Sequence, residues 1–316
     1  MKPQRIVILG GTGFVGSRLV ERLAEDGHSI RVLSRNREKH RELNLLPGVS
    51  VANADVHNRD FLARHFHHAD CVINLVGILN ERGSDGAGFR RAHVELTASV
   101  IAACRIAGVQ RLLQMSALRA GEGASHYLKT RGEAEQLVRK CSLAWTIFRP
   151  SVIFGPGDGL FCRFAKLLRF VPVLPLARAR ARFAPVYVGD VAEAFARALV
   201  HPYTSGHTYE LTGPTVITLG EIVRWTARLI GKRRWIVPLP DVLGYLQATI
   251  GEWLPGKPIS RDNFRSLKLD SVSDEDGLAS LGIVATPMAL IMPTLFAQPS
   301  RRRQSRYDLY REQHQR

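Results

Sequence analysis

The N-terminal residues run from an apolar stretch through a glycine-rich break into an amphipathic stretch. Residues 6–9 are all apolar, and glycines follow at positions 10, 13 and 16. From Val15 to Ala24, apolar residues fall on one side of a helical wheel and charged residues on the other. This order predicts a buried strand, a tight turn and a helix packed on a sheet.

Further apolar stretches follow at regular intervals as far as residue 150. We expect strands at Ile30–Leu33, Val49–Ala54, Val72–Gly77, 110–117 and Trp145–Pro150, with a long helix at Phe89–Ala107. Strands that alternate with helices across short turns predict a parallel, doubly wound α/β sheet of the Rossmann type.

The regular alternation weakens after residue 160. We expect residues 1–160, together with a returning strand and helix near 183–200, to form the sheet domain. In the returning segment, Asp190 is the expected N-cap of the helix. Residues 161–297 mix short strands, helices and prolines and predict a smaller mixed α/β lobe, whereas the basic residues 298–316 predict a disordered tail.

Composition places the chain among soluble globular proteins. It has 316 residues, of which 45% are hydrophobic and 23% are charged. Its four cysteines are scattered without metal-ligand spacing, which is typical of reduced thiols and predicts no metal site. The first strand begins almost at once, which leaves no room for a targeting segment, and no apolar run is long enough to span a bilayer. These features predict a cytoplasmic protein, with a peripheral location on the inner membrane as an option.

The charge is strongly positive, at +16 with a pI near 10.4. An anionic membrane surface, an acidic protein partner and a merely solvated basic surface all fit this charge. Nucleic acid is a minor alternative, because no helix-turn-helix pattern, aromatic RNA-binding strand or zinc spacing accompanies it.

The glycine-rich break has the spacing of a dinucleotide-binding loop. Gly10 would make the turn, Gly13 would let a pyrophosphate approach the backbone, and Gly16 would let the helix pack closely. The phosphates would lie at the helix N-terminus, beside the loop residues Thr12, Phe14 and Val15. The alternative is a purely structural turn, which the flanking strand and helix make less favourable.

The end of the second strand determines which dinucleotide is preferred. NAD is usually bound by an acidic side chain there, but this chain has Ser34, Arg35 and Asn36. Arg35 can stack on adenine and pair with a 2′-phosphate, so NADP(H) is predicted over NAD(H). The competing interpretation is a solvated basic loop.

Other candidate contacts lie at later strand ends and on one helix. Asp55 and Val56 would meet the adenine, while Asn74, Val76 and Gly77 would lie on the ribose and nicotinamide path. Tyr127 and Arg131 are one helical turn apart and share a face. A lone helical histidine is more often structural, so His93 is not predicted to be catalytic.

Several longer stretches resemble one family. Besides the glycine loop, Ser116 and the Tyr127 helix, they are Phe148–Asp158, Pro185–Glu193, Tyr209–Pro214, Leu239–Pro240 and Leu269–Val272. Together they are similar to the atypical extended short-chain dehydrogenase/reductase family, in the branch that includes the nucleotide-binding accessory subunit of respiratory complex I and its bacterial relatives. The resemblance runs from about residue 4 to 297.

The resemblance implies a Rossmann domain that binds NADP(H) and a small lobe that closes over a cleft. It also implies a catalytic serine, tyrosine and lysine. Ser116 and Tyr127 match the first two, and Arg131 stands at the lysine position; Tyr127, Arg131 and Pro150 complete the implied cofactor contacts. Partners implied by the branch are complex I subunits or an anionic membrane; the oligomeric state stays open.

The arginine at position 131 leaves two hypotheses about function. A cation beside the phenol lowers the pKa of the tyrosine and holds the ribose, and arginine keeps this charge but cannot pass on a proton. The first hypothesis is a protein that binds NADP(H) tightly for structure or regulation. The second is an active oxidoreductase or epimerase acting on a small carbonyl, quinone or sugar-nucleotide substrate, with Tyr127 as acid or base and Ser116 orienting the carbonyl.

Overall fold

The computed structural model describes residues 2–254, 257 and 259–296, and it has an α/β architecture. Its strands are β1 Arg5–Leu9, β2 Ser29–Ser34, β3 Val49–Asn53, β4 Cys71–Asn74, β5 Arg111–Met115, β6 Ala144–Pro150, β7 Ile153–Phe154, β8 Val173–Ala177, β9 Arg182–Phe183, β10 Val186–Tyr187, β11 His207–Leu211, β12 Ile217–Thr218 and β13 Trp235–Leu239.

Helices connect most of these strands. They are α1 Phe14–Glu25, α2 Arg59–Phe66, α3 Ala87–Arg90, α4 Leu96–Ala107, α5 His126–Arg139, α6 Phe161–Phe170, α7 Val188–Val200, α8 Leu219–Leu229, α9 Asp241–Gly251, α10 Arg261–Ser266, α11 Gly277–Ser280 and α12 Met288–Phe296. Short 3₁₀ segments lie at Arg37–Leu45 and Pro202–Thr204, and a π-helical turn at Arg91–Glu95 joins α3 to α4.

Seven strands form one parallel sheet in the order β11-β6-β5-β4-β1-β2-β3. The doubly wound Rossmann-type sheet that the sequence predicts is confirmed. Both faces of the sheet are covered: Ile6 and Ile8 pack with α1 and α7 on one side, and Val7 and Leu9 pack with α2 and α4 on the other. Burial on both faces explains why the strands read as continuous apolar stretches.

A second set of elements forms a smaller lobe. Helices α6, α8 and α12 share an apolar core with the two-stranded ribbon of β8 and β13, and α9 and α10 lie beside it. Within the part of the chain that the structure describes, no helix is both long and apolar enough to cross a membrane.

Two expectations differ from the structure, and a third concerns residues that the structure does not describe. Strand β11 lies within the range assigned to the lobe but extends the main sheet beside β6, whereas the returning strand β10 pairs with β7. The expected N-cap role of Asp190 is wrong, because α7 begins at Val188 and the Asp190 carboxylate instead accepts bonds from Thr286. The predicted tail at 298–316 lies outside the described residues.

Candidate functional site

The glycine loop between β1 and α1 is shaped by contacts that exclude side chains. Gly10 has a φ of +78°, and a Cβ on Gly16 would lie 2.2 Å from the carbonyl oxygen of Gly10. The amide of Gly13 donates to that same oxygen at 3.0 Å. The turn expected at Gly10 and the close packing expected at Gly16 are therefore confirmed.

The N-terminus of α1 is suited to an anion. It begins after Gly13 with no side-chain cap and no acidic residue in its first turn. Thr12, Phe14 and Val15 are half-buried around it, while Gly13 is exposed. Unpaired amides and the helix dipole at such an end favour phosphate groups.

The end of β2 presents an arginine without a protein partner. The hydroxyl of Ser34 accepts a bond from the amide of Asn36 at 3.2 Å, which fixes the turn. Arg35 is exposed, and its side chain has no hydrogen bond or ion pair among the residues described by the structure, whereas Arg37 pairs with Glu38. The charge of Arg35 is thus available to a ligand at this edge.

The other predicted cofactor contacts lie at neighbouring strand ends. Asp55 is exposed after β3 and accepts from the amide of His57 at 3.0 Å, and Val56 packs half-buried on the helical layer. Pro150 is buried at the end of β6. Because all these strands are parallel, their carboxyl ends meet at one edge, where ligands of open α/β sheets bind.

Arg131 is bound to the ends of two central strands. Its Nη1 donates to the carbonyl oxygens of Val76 at 3.3 Å and Met115 at 3.0 Å. A Cβ on Gly77 would lie 1.9 Å from its Nη2, so a side chain at position 77 would displace the guanidinium from this position. Its Nε is buried and has no hydrogen-bond partner among the residues that the structure describes. An unsatisfied buried donor is costly, which indicates a site for an acceptor from a ligand.

Tyr127 lies in a cluster of rings beside this guanidinium. The Arg131 Cζ is 5.6 Å from the Tyr127 ring centroid, and the rings of His93 and Phe89 are 5.6 and 6.0 Å away. The one-turn spacing therefore brings Tyr127 and Arg131 together on α5, as predicted. The cation lies over the ring face, within the range of a cation–π contact.

His93 is a neighbour of Tyr127 that the sequence analysis set aside. It lies in the π-helical turn, a feature often found at functional sites. Its Nδ1 is 2.9 Å from the Thr130 hydroxyl, and its Nε2 accepts from the amide of Ile78 at 3.4 Å. Burial, with a smaller contribution from Arg131, lowers its pKa to about 2, so the ring is neutral.

The hydroxyl of Ser116 is hydrogen-bonded to a buried ionic network. Its hydroxyl donates to Glu135 Oε1 at 2.6 Å. Glu135 is 1% exposed and also binds Arg149 through both oxygens and Arg139 at 2.8 Å. The hydrogen bonds that Arg149 donates to the Glu135 carboxylate raise the pKa of Arg149. This geometry does not support the carbonyl-orienting role expected for Ser116, because its proton is already used within the protein.

The network could have been found from the sequence by helical spacing. Tyr127, Arg131 and Glu135 recur every four residues and so form one stripe of α5. A carboxylate on a buried helical stripe requires a cationic partner. The identity of that partner, Arg149, depends on the neighbouring strand β6 and is not visible in the local pattern.

The lobe contributes one group to the N-terminus of α5. Asp262 of α10 accepts bonds from the amides of His126 at 2.6 Å and Tyr127 at 3.1 Å. A carboxylate at a helix N-terminus satisfies unpaired amides and matches the helix dipole. No local sequence pattern predicts this contact, because its partners are 135–136 residues apart along the chain.

Asn74 is buried at the end of β4 and hydrogen-bonded within the fold. Its amide donates to Gln114 at 3.0 Å, and its oxygen accepts from the amide of Val76 at 3.2 Å. It therefore shapes the turn after β4 that carries the oxygen bound by Arg131. No cluster of side chains suited to a metal ion occurs among the described residues.

Comparisons with known proteins identify a matching family and several relatives. A family model described as NAD(P)H-binding matches residues 10–159. The mitochondrial NADH-ubiquinone oxidoreductase 40 kDa subunit of Neurospora crassa is 27% identical over 307 residues, which cover 96% of this chain and 80% of that protein. The ceramide reductase of Caulobacter vibrioides is 31% identical over 242 residues, which cover 75% of this chain and 74% of that protein.

The fold also matches a solved structure, that of MoeE5 in complex with UDP-glucose and NAD. The TM-score is 0.73 at 18% sequence identity, and the match covers 92% of this chain and 97% of that one. At this identity the likeness concerns the fold alone. Its bound NAD is a property of that protein, and it occurs on an architecture shared with the present chain.

Proposed function

Because the chain belongs to the NAD(P)H-binding, extended short-chain dehydrogenase/reductase family, in the branch of the complex I accessory subunit, we propose that it holds NADP(H) tightly for structure or regulation. The setting that we propose is a respiratory complex or the face of a membrane on the cytoplasmic side. The relative from Neurospora crassa is named as a subunit of such a complex.

The observation that carries this proposal is the position of Arg131. Its guanidinium binds the strand-end oxygens of Val76 and Met115, while Ser116 donates to Glu135. Both expected helpers of Tyr127 are thus engaged within the fold, and arginine cannot relay a proton near neutral pH. The same cation, with its free Nε, remains able to bind the ribose or phosphate of a dinucleotide.

The test is purification followed by release of bound nucleotide and mass spectrometry. We expect about one NADP(H) per chain, retained through gel filtration, and no consumption of NADPH with a broad panel of carbonyls and quinones. Arg131→Ala should lose the nucleotide. Purification without nucleotide, together with weak binding of added NADPH, would contradict the proposal.

Preference for NADP(H) is proposed from the unpaired Arg35 at the end of β2. A charged hydrogen bond to the 2′-phosphate contributes about 1.5–3 kcal/mol, so Arg35→Glu should weaken NADPH binding by about 10- to 100-fold and leave NADH binding unchanged or improved. Calorimetric titration of both nucleotides measures this difference. Arg31→Glu is the matched control, because Arg31 is on the same strand with its side chain near the carbonyl of His65.

A reductase is the second candidate function, and the Caulobacter vibrioides relative named ceramide reductase favours it. In that case hydride would pass between the nicotinamide and a substrate carbon, with Tyr127 giving or taking the proton and Arg131 holding the ribose. NADPH consumption that disappears in Tyr127→Phe, with nucleotide still bound, would establish this function over the first.

A further inference from the structure

Helix α9 of the lobe buries its small residues and exposes its large apolar ones. The residues that it buries are Gly244, Ala248 and Gly251. A Cβ on Gly244 would lie 3.0 Å from both Ala177 Cβ and Phe264 Cε2, and one on Gly251 would lie 2.6 Å from the Ile259 oxygen. The small residues therefore bring α9 close to the lobe.

The large apolar side chains of α9 face outward. Val242 is 81% exposed, and Leu243, Leu246 and Ile250 are each at least half exposed. Trp253, directly after the helix, is 88% exposed. A water-facing helix normally buries its large apolar residues and exposes its polar ones. The arrangement indicates that another apolar phase covers this side.

The ribbon of β8 and β13 presents a second apolar face. Trp235 lies opposite Val173, and Val237 lies opposite Pro175, so these four side chains share one side of the ribbon. That side is exposed, Trp235 to 77%, while the intervening Leu174 and Leu176 are buried in the lobe core. The ribbon therefore has apolar residues on its exposed face as well as on its buried face.

The two faces adjoin. Gln247 of α9 donates to the Pro175 oxygen at 2.8 Å and accepts from the Ala177 amide at 3.2 Å, which places the helix along the free edge of β8. At the start of the ribbon, Phe170 at the end of α6 is 85% exposed, and the amide of Trp235 bonds the Pro172 oxygen. We call the combined surface the lobe face. Its members are Phe170, Val173, Pro175, Trp235, Val237, Val242, Leu243, Leu246, Ile250, Trp253 and Leu254.

The two chain segments that contribute Phe170 and the ribbon to the lobe face have basic residues but no acidic ones. There is no aspartate or glutamate between Asp158 and Asp190, nor between Glu221 and Asp241. These two segments contain eleven basic residues, which are Arg163, Lys166, Arg169, Arg178, Arg180, Arg182, Arg224, Arg228, Lys232, Arg233 and Arg234. Lys166, Arg169, Lys232 and Arg233 are exposed next to Phe170 and Trp235 in the chain.

We propose that the lobe face docks on the surface of an anionic lipid bilayer. Exposed tryptophans with leucine, isoleucine and valine, flanked by lysine and arginine, match the boundary between acyl chains and anionic headgroups. A protein groove would need only the apolar part, whereas the two acid-free segments beside the ribbon complement a negatively charged surface. The two acids that adjoin the apolar residues of α9, Asp241 and Glu252, are neutralised by ion pairs with Arg178 and Arg261. The proposal deepens the membrane setting proposed above and rests on it, but it does not depend on how the nucleotide is used.

The experiment is sedimentation of the full chain with protein-free vesicles of phosphatidylglycerol and phosphatidylethanolamine, compared with vesicles of phosphatidylcholine. We expect binding to the anionic vesicles that weakens as salt is raised. Quenching of tryptophan emission by lipids brominated along their acyl chains should accompany it, because Trp235 and Trp253 would enter the boundary region.

Two variants separate the charged and apolar contributions. Lys232→Glu/Arg233→Glu should lower vesicle affinity by about 30-fold or more, since each basic residue near an anionic surface contributes about fivefold. Trp235→Ser should lower it by about tenfold or more. Arg105→Glu/Lys140→Glu, with the same charge change on α4 and at the end of α5, is the matched control and should bind as the parent does.

Retained nucleotide is measured on the same samples, which keeps failure of docking distinct from failure of the proposed function. Absence of binding to anionic vesicles at physiological salt would overturn the docking proposal. Binding to native membranes but not to protein-free vesicles would also overturn it, because it would assign the lobe face to a membrane protein. An equal loss of vesicle affinity in the control variant would overturn it as well.

Discussion

At the scale of single residues, burial holds the imidazole beside Tyr127 in its neutral form. His93 is neutral because burial disfavours its charged form and Arg131 adds repulsion. Arginine is a permanent cation in proteins, and Arg131 donates to the carbonyl oxygens of Val76 and Met115. The cleft therefore combines a permanent cation with a neutral imidazole, an arrangement suited to binding an anionic cofactor.

The lowered pKa of His93 predicts loss of stability in acid. Its pKa is near 6.5 in the unfolded chain and about 2 in the folded one, so the stabilisation is complete above pH 6.5 and is lost as the pH falls below 6.5. Between pH 6.5 and 4.5, the shifted pKa of His93 should lower the free energy of unfolding by about 2 kcal/mol.

Urea unfolding of His93→Asn over this pH range measures the effect. The variant should be less stable at pH 7 but should lose less stability on acidification than the parent. His57→Asn, at an exposed position, should follow the parent. Parallel pH profiles for His93→Asn and the parent would contradict the assignment.

At the scale of elements, α5 organises the site through one stripe of side chains. Tyr127, Arg131 and Glu135 follow each other by one turn, and Glu135 joins the helix to β6 through Arg149. Arg149 also pairs with Glu210 at 3.2 Å, so loss of the Glu135 carboxylate would leave Arg149 with one of its two acidic partners. The position of Tyr127 is thus supported by an interaction two turns away.

Glu135→Gln should lower the free energy of unfolding by about 1.5–3 kcal/mol, because Arg149 and Arg139 lose their shared carboxylate while Arg149 keeps its ion pair with Glu210. Glu133→Gln on the same helix is the matched control; Glu133 pairs with Arg90 at a half-exposed position and should cost at most about 1 kcal/mol. Guanidinium unfolding of both variants provides the comparison. Equal effects would show that the network adds nothing to stability.

At the scale of the whole molecule, the lobe and the sheet domain meet at the N-terminus of α5. Asp262 belongs to the lobe but satisfies the amides of His126 and Tyr127. Movement of the lobe would therefore change the hydrogen bonding of the Tyr127 amide. This contact links the side of the molecule that we propose docks on lipid with the side that holds the nucleotide.

Asp262→Ala should release these two amides and lower stability by about 1–3 kcal/mol. Hydrogen exchange resolved by residue should show faster exchange at His126 and Tyr127, whereas the exposed Asp274→Ala should leave them unchanged. Retained protection in Asp262→Ala would indicate that solvent or another group replaces the carboxylate without loss.

The sequence by itself determined the sheet domain and the place of the cofactor loop. Strands buried on both faces must be apolar throughout, and Gly10 and Gly16 occupy positions with too little room for a side chain. Both features can therefore be recognised from short stretches of sequence. The one-turn spacing of Tyr127 and Arg131 is local as well, and it correctly predicted that they would meet.

Only the tertiary structure decided what the polar groups bind. Ser116 turns to Glu135, Asp190 to Thr286 and Asp262 to the start of α5, and these partners are 19, 96 and 135–136 residues away in the chain. Polar groups choose partners by proximity in space, which local periodicity does not encode. The orientation of α9 was likewise decided in space. Its buried side carries small residues because Gly244 packs against Ala177 and Phe264, and neither contact is visible in the local sequence of the helix.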